Sequence, residues 1–331
     1  MHDLSKAALF PIDLLMAGIP CPDFSSSHNT GAGPTEEERW CGWDELVSTI
    51  ALRMSRGILD QALLVENVKG FLAHVTPERL EQLRDQAGMH SKIFLAGAPL
   101  FGCATTRERI VLVAFRDPAH LAKFGRGPRP TSAEGLPLSA IIEPKYNAPL
   151  INAPLFLRTR ELMHGVAAAH GTNVVSPATT QLMHVRTRAN SPATPSGLGS
   201  TFICLHPSVA QQTEKLSEAQ KEEFKTWFDG KRFGEQQEIE PIYRRLHPRE
   251  ELRAMGWRPE EQPGFAGRVD KRTYEWIADS LCPPAFEPFV ARMMWALGKK
   301  LPSHVTVTEA AASNLEKKTG KLGVEYYVVK A

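Results

Sequence analysis

The feature that most constrains this chain is a short apolar run that ends in a proline-flanked cysteine. Residues 12–19 are mostly apolar, and Pro20-Cys21-Pro22 follows them directly. Short apolar runs bounded by glycine and proline are typical of buried strands. Open α/β sheets place their ligand sites at the carboxyl ends of parallel strands. The sequence therefore predicts a cysteine presented at a sheet edge, with a small polar loop after it that can close over a substrate.

A second strand of the same kind ends in a carboxylate. A predicted helix over residues 43–58 separates the first strand from a second strand over 62–71, whose apolar part is followed by Glu66 and Asn67. A strand–helix–strand unit makes its two strands parallel neighbours, so Cys21 and Glu66 are expected at the same sheet edge. A lone cysteine is more often buried and inert, but a carboxylate beside it favours a functional pair.

The rest of the chain predicts a mixed set of further elements. Helices are expected over residues 77–87, 216–229, 248–255 and 285–298, and strands over 92–97 and 110–115. Residues 117–150 are rich in proline and glycine and are interpreted as a linker. The chain after residue 300 is interpreted as a polar tail with one β-like run over 325–329.

Two arginines stand at the start of the strand predicted over 110–115. Arg107 and Arg109 are two residues apart, a spacing that places both guanidinium groups on one face of a strand. Such a pair suits recognition of a phosphate or a base, although a solvated surface pair is the alternative.

Composition narrows the class of protein. The net charge of +2 over 331 residues does not by itself indicate a nucleic-acid-binding protein, so any basic surface that binds nucleic acid must be local. No 18-residue apolar run and no signal peptide occur, so we expect a cytoplasmic protein without membrane contact. Five scattered cysteines without a CxxC pair argue for a reducing compartment and against a disulfide framework or a metal site. They are Cys21, Cys41, Cys103, Cys204 and Cys282.

Five segments, in order, resemble the motifs of the DNA cytosine-5 methyltransferase family. Residues 20–25 resemble its Pro-Cys-Gln-x-Phe-Ser loop, 66–68 its Glu-Asn-Val motif, and 101–109 its Phe-Gly-x-x-Gln-x-Arg-x-Arg motif. Residues 245–250 resemble its Arg-x-Leu-Thr/His-Pro-Arg-Glu helix, and 277–284 its Gly-Asn-Ser-Val-Cys-Pro-Pro segment. Each match alone is weak, but five in the family's order, with a variable region between the third and the fourth, form a strong signal.

The resemblance implies an α/β, Rossmann-like, S-adenosylmethionine-dependent methyltransferase fold with a smaller target-recognition domain. The catalytic part would occupy residues 1–145, and the target-recognition domain 146–240. The carboxyl-terminal motifs over 241–300 would pack back on the catalytic part, and 301–331 would be the tail.

The resemblance also implies a reaction on double-stranded DNA. A cysteine thiolate adds to C6 of a flipped-out cytosine, which makes C5 nucleophilic toward the methyl group of S-adenosyl-L-methionine. A carboxyl group at N3 stabilises the charge that develops on the ring. The catalytic roles would fall on Cys21, Glu66, Arg107 and Arg109, cofactor contacts on Pro20, Asn67, Asp279 and Ser280, and DNA contacts on Ser25, Arg186 and Arg188. A place in restriction–modification is a further expectation from the family.

The sequence departs from the family pattern at several positions. The family begins with a Phe-x-Gly-x-Gly turn and acidic residues that hold the cofactor, and neither precedes Asp13. Pro22 and Thr105 stand where the family has glutamine, and Ala278-Asp279 stands where it has Gly-Asn. We therefore expect one part of a split enzyme, with a second chain that supplies the amino-terminal cofactor-binding motifs.

Three other interpretations remain open. The chain could be a catalytically inactive remnant that still binds DNA. It could be a thiol enzyme acting on free pyrimidine nucleotides, which also uses cysteine attack at C6, although the variable region and the arginine-containing helix motif argue against that. It could also be an RNA-directed member of the same family, because the variable region does not reveal its target.

Overall fold

A computed structural model describes much of the chain, which divides into two compact units. Unit 1 comprises residues 1–100, 108–131 and 284–331, and unit 2 comprises 101–107 and 132–283. These bounds differ from the predicted ones, because residues 241–283 group with unit 2 whereas 284–300 join unit 1. The described residues are 10–20, 24, 34–105, 107–132, 136, 141, 202–204, 243–245, 247–262, 264, 273, 276–277, 280–303, 305, 307 and 315–330.

One mixed sheet organises the described part of unit 1. Its six strands follow the order β1-β2-β4-β3-β8-β7, which confirms the predicted α/β class. The β1–β2 pair is parallel, as predicted, whereas β4 runs antiparallel to both β2 and β3. The strands are β1 (Leu14–Gly18), β2 (Ala62–Val68), β3 (His90–Gly97), β4 (Glu108–Phe115), β7 (Leu315–Thr319) and β8 (Glu325–Val329).

The helix between β1 and β2 begins earlier than predicted. Helix α1 spans Glu36–Ser55, because Thr35 and Glu38 form a capping box and three glutamates occupy the first turn. It ends just before Gly57, which has the positive φ of 77° that glycine adopts readily. The connection returns the chain parallel to β1, with Gly18 opposite Glu66.

The segment after β2 turns at once into a short helix. Strand β2 stops at Val68, and a 3₁₀ helix covers Lys69–Ala73, where the sequence predicted continued strand. Helix α2 (Pro77–Ala87) has the predicted bounds, with Thr76 as its cap. Both β3 and β4 begin two residues before their predicted starts.

Helices cover both faces of the sheet. Leu63 and Val65 of β2 share one core cluster with Trp43 and Val47 of α1. Side chains alternate between faces along a strand, so Phe94 of β3 belongs to the opposite face from its neighbours Ile93 and Leu95. Its ring packs on aromatic rings of α3 (Pro118–Phe124) and α5 (Pro283–Ala296). Helix α3 lies in the segment predicted as a linker, because Asp117 caps it.

The chain after residue 300 corrects the predicted tail. Strands β7 and β8 form an antiparallel hairpin, and β8 pairs in parallel with β3 through Phe94–Tyr327 and Leu95–Val328. Val324 is buried in the core, and the Tyr327 ring stacks on Phe94 with centroids 5.6 Å apart. The apolar side chains of 324–329 therefore pack on both faces of the sheet.

The described part of unit 2 is smaller. Helix α4 (Pro248–Ala254) begins at a capping box between His247 and Glu250, as the Pro-started pattern predicted. Strands β5 (Phe202–Cys204) and β6 (Tyr243–Arg245) form an antiparallel pair. The predicted helix over 216–229 and most of the predicted target-recognition region lie outside the described residues. Across the described ranges, no helix has both the length and the apolar character that crossing a bilayer needs.

Candidate catalytic site

An ion pair stands at the carboxyl end of β2. Glu66 Oε1 lies 2.8 Å from Arg109 Nε, and the two side chains are 15% and 14% exposed. Arg109 reaches Glu66 because Val68 is the residue opposite Arg109 in the β2–β4 register, so the pair is a diagonal one on one sheet face. A second guanidinium N–H of Arg109 donates to the Glu108 carbonyl at 2.9 Å. The guanidinium therefore fixes the carboxylate at the sheet edge while leaving part of it accessible.

The segment that carries Cys21 leaves β1 beside this pair. Gly18 is the residue opposite Glu66, and Ile19 and Pro20 follow it directly. Cys21 itself, like Pro22 and Asp23, lies outside the described residues. The common edge predicted for the cysteine strand and the carboxylate strand is thus confirmed at the level of their strands.

Asn67 holds the end of β1. Its side chain is fully buried, its Nδ2 donates to the Ile19 carbonyl at 3.4 Å, and its Oδ1 accepts from the Val68 amide at 2.8 Å. On the other side, Pro20 lies against Gly42 of α1, where a Cβ would come within 2.9 Å of Pro20 Cδ. The residues immediately before Cys21 are therefore held from two sides.

An aromatic socket holds the residue three positions after Cys21. Phe24 is 2% exposed and packs on Trp40 and Phe71 with ring centroids 5.2 and 5.1 Å away. His74 completes the socket at 6.1 Å, and its pKa is lowered because burial and the charge of Arg39 disfavour the imidazolium. The sequence reasoning missed this socket, because nothing in the spacing of these aromatic residues links them to Phe24.

Glycine 70 lets the socket close. A Cβ at this position would overlap the Phe24 carbonyl oxygen, so the backbones of the 3₁₀ helix and of Phe24 meet directly. Only glycine leaves that space.

Arg107 differs from its prediction. Strand β4 begins at Glu108, so Arg107 does not share a strand face with Arg109. It belongs to unit 2, is 5% exposed, and donates from Nη1 to Met255 Sδ at 3.5 Å. Met255 is fully buried and also contacts Cys103 and Cys282. The arginine is part of a buried cluster in which Met255 joins two of the motif segments, 101–109 and 277–284.

Two of the predicted cofactor residues, Asn67 and Ser280, make hydrogen bonds within the protein. Pro20 is exposed at the end of β1, but the Asn67 amide is engaged within the protein. Ser280 Oγ donates to the Ile277 carbonyl at 2.7 Å, and Asp279 lies outside the described residues. The predicted DNA contacts Ser25, Arg186 and Arg188 also lie outside the described residues.

The two edges of the sheet differ in chemistry. Among the described residues, β1 pairs only with β2, and Met16 in its centre is 47% exposed. The opposite edge strand, β7, carries Lys317 and Lys318, which are paired with glutamates. Charged side chains on an edge strand prevent further pairing, whereas an apolar edge invites it.

Known structures share this fold. The chain resembles Entamoeba histolytica methyltransferase EhMeth, with 13% identity, a TM-score of 0.56, and coverage of 86% of this chain and 78% of that one. It resembles S. pombe Dnmt2 methyltransferase at 13% identity and a TM-score of 0.56, covering 89% and 83%. A Spodoptera frugiperda DNMT2 variant is 15% identical, with a TM-score of 0.52 and coverage of 85% and 79%. The fold is therefore that of the methyltransferases.

The family follows from the sequence profile. The chain belongs to the C-5 cytosine-specific DNA methylase family, whose profile matches residues 1–294. No curated protein matches the chain. The family implies S-adenosyl-L-methionine as the methyl donor and supports a methyltransferase that acts on cytosine. The suspected resemblance is thereby confirmed, and β7 and β8 lie beyond the matched segment.

Proposed function

We propose that this chain carries the catalytic part of a DNA cytosine-5 methyltransferase that works through a covalent Cys21 adduct. The observation that carries the proposal is the register of β1 on β2, in which Gly18 lies opposite Glu66 and the Cys21 segment follows three residues later. The Arg109-bound carboxylate therefore lies at the end of the strand that neighbours the one leading to Cys21, which supports the pairing of the two groups.

The chemistry assigns one task to each residue. The Cys21 thiolate forms a bond to C6 of the flipped-out cytosine, and the electron pair of the C5–C6 double bond shifts toward C5 and N3. Glu66 interacts with N3 through a proton or hydrogen bond, and Arg109 keeps the Glu66 carboxyl in place. S-adenosyl-L-methionine, when bound, would supply the electrophilic methyl group, whose bond to sulfur would break as its bond to C5 forms, with S-adenosyl-L-homocysteine as the leaving group. When the C5 proton later leaves to water and the thiolate departs, the ring double bond is restored.

We further propose that a second chain completes the cofactor pocket. Two features support this: the described cofactor candidates Asn67 and Ser280 have their polar groups engaged within the protein, and the β1 edge is apolar and exposed. A strand from the second chain that runs parallel to β1 would bring its own carboxyl end to the Glu66 edge. That chain would carry the glycine-rich cofactor turn.

The test is covalent trapping on duplex DNA that contains 5-fluorocytosine, with S-adenosyl-L-methionine and the complementing chain. Fluorine replaces the C5 hydrogen and, unlike a proton, cannot be removed by a base. The Cys21 adduct therefore accumulates and is identified by peptide mass spectrometry. Cys21→Ser should abolish the adduct, and Cys41→Ser, which changes an exposed thiol on α1, should retain it. An adduct that survives in Cys21→Ser contradicts the proposal. A parallel reaction on RNA carrying the same base separates the two nucleic acids: adducts on RNA alone would overturn the DNA substrate.

A further inference from the structure

Two glycines approach the Cys21 segment from opposite sides. Gly42 on α1 faces Pro20, where a Cβ would lie within 2.9 Å of Cδ and 3.2 Å of Ile19 Cγ2. Gly70 in the 3₁₀ helix faces the Phe24 carbonyl, where a Cβ would overlap the oxygen. Pro20 and Phe24 are the described residues that flank Cys21, so one glycine meets each end of the segment.

Neither glycine is explained by its own backbone. Neither has a positive φ, the usual reason for glycine in a turn. Gly42 lies inside the 20-residue helix α1, where alanine would be the better helix former. What the two positions share is a neighbour that a side chain would push away.

The residues next to Cys21 are also held by contacts from the run 66–71. Asn67 ties the Ile19 carbonyl, and Phe71, next to Gly70, forms part of the socket for Phe24. Both residues belong to the run 66–71, which begins with Glu66. A displacement of either end of the Cys21 segment would therefore alter the position of the cysteine relative to the carboxylate.

We infer that Gly42 and Gly70 are positioning residues: they set the positions of Pro20 and Phe24, the described residues on either side of Cys21, and through them they act on the reactivity of the thiol. The inference rests on the proposed function only in taking Cys21 as the nucleophile. The two glycines act through Pro20 and Phe24 and do not touch the substrate.

The helix position makes the inference separable from a role in stability. Gly42→Ala favours the helical backbone of α1, because alanine is the better helix former, so its effect would come from the contact with Pro20 and not from loss of the helix. If the glycine has only a structural role, its replacement should leave the reactivity of Cys21 unchanged. If it is a positioning residue, its replacement should change the reactivity of Cys21.

The experiment measures the pH profile of Cys21 alkylation by iodoacetamide in the isolated full chain, resolved by peptide mass spectrometry. Thiol reactivity follows the thiolate fraction and access, so a displaced segment changes the profile. We expect Gly42→Ala and Gly70→Ala to change the limiting rate of Cys21 by at least about threefold or to move its midpoint. Gly97→Ala is the control, because its Cβ would meet only Pro99 Cδ at an ordinary 3.8 Å. Cys41, an exposed thiol, is the internal reference for Gly70→Ala and Gly97→Ala.

The outcomes separate this inference from the proposed function. If both glycine variants keep the wild-type Cys21 profile, whatever happens to thermal unfolding, the two glycines are not positioning residues. If the Cys21 profile changes while the wild-type chain forms no adduct on 5-fluorocytosine DNA even with its complementing chain, the inference stands and the proposed reaction fails. If the profile changes and trapping is also reduced in both variants, both are supported.

Discussion

Removal of the Asp60 carboxylate should unfold the start of β1. Asp60 is fully buried and accepts from Arg53 Nε and Nη2, both at 2.7 Å, and from the Ile12 amide at 3.0 Å. Arg53 Nη2 also donates to the Phe10 carbonyl at 3.1 Å. The pair thus ties α1, β2 and the chain before β1 together, and breaking it leaves a guanidinium that is 8% exposed without its counter-charge.

The magnitude follows from the burial of the pair. Loss of one partner of a buried ion pair costs about 3–5 kcal/mol, so Asp60→Ala should lower the free energy of unfolding of unit 1 by that amount. Asp60→Asn keeps an oxygen for the Ile12 amide and should lose about 1.5–3 kcal/mol, the value of hydrogen bonds to a charged group. Asp85→Ala is the matched control, because its pair with Arg84 lies at the surface and its loss should leave the transition unchanged.

The dependence on pH has a definite sign. Burial raises the pKa of Asp60, but the hydrogen bonds from Arg53 and Ile12, with the charges of Arg53 and Arg116, outweigh it and leave the pKa below its ordinary value. The stabilisation is therefore complete above the unfolded aspartate pKa of about 3.9 and is lost as the pH falls through the lower folded pKa. Asp60→Asn should lack this part of the acid dependence.

The assay is denaturant unfolding, with hydrogen exchange of the peptides of β1 and α1 to isolate unit 1. Exchange in these peptides should accelerate in Asp60→Ala by about tenfold for each 1.4 kcal/mol of lost free energy. A loss below about 1 kcal/mol in Asp60→Ala would refute the reasoning, because the pair would then behave like an exposed one.

Three other predictions concern the proposed reaction. Glu66→Gln should reduce turnover far more than DNA affinity, because the carboxyl acts in the transition state. Glu108→Gln, which changes an exposed ion pair, is the control. Equal losses in turnover and affinity in Glu66→Gln would indicate a structural role. Neutralising Arg186 and Arg188 together should reduce the salt dependence of DNA binding, measured as the slope of affinity against salt, and an unchanged slope would remove both from the interface. The isolated chain should bind S-adenosyl-L-methionine weakly or not at all in calorimetry, because the Asn67 and Ser280 side chains are already engaged within the protein. Micromolar binding would contradict the two-chain proposal.

The sequence predicted what depends on local pattern. The parallel β1–β2 unit, α2 and the ends of β3 and β4 follow from apolar runs and from glycine and proline, and all were found. Glu66 could be placed at the sheet edge because a parallel unit leaves no other place for it. The ion pair with Arg109 depends on the antiparallel register of β4, which no spacing in the sequence specifies.

What the sequence did not predict depends on long-range contacts. The Phe24 socket joins α1 to the segment after β2, and the hairpin β7–β8 gains its stability from packing on β3. The start of α1 was missed for a local reason, since the capping box of Thr35 and Glu38 is readable in the sequence. Arg107 was expected to share a strand face with Arg109 because of their spacing, whereas β4 begins at Glu108 and leaves Arg107 outside the strand.

The pairing of β8 with β3 has a consequence for the order in which the protein can fold during synthesis. Phe94 and Tyr327 pair directly although β3 and β8 are far apart in the sequence. The unit β1–α1–β2 and the β3–β4 pair can assemble early, but the β3 edge stays open until β8 has been synthesised. An open apolar edge is prone to pair wrongly, and long-range parallel pairing is slow. The sheet is therefore completed only when β8 pairs with β3, and before that step the nascent chain exposes the β3 edge to wrong pairing.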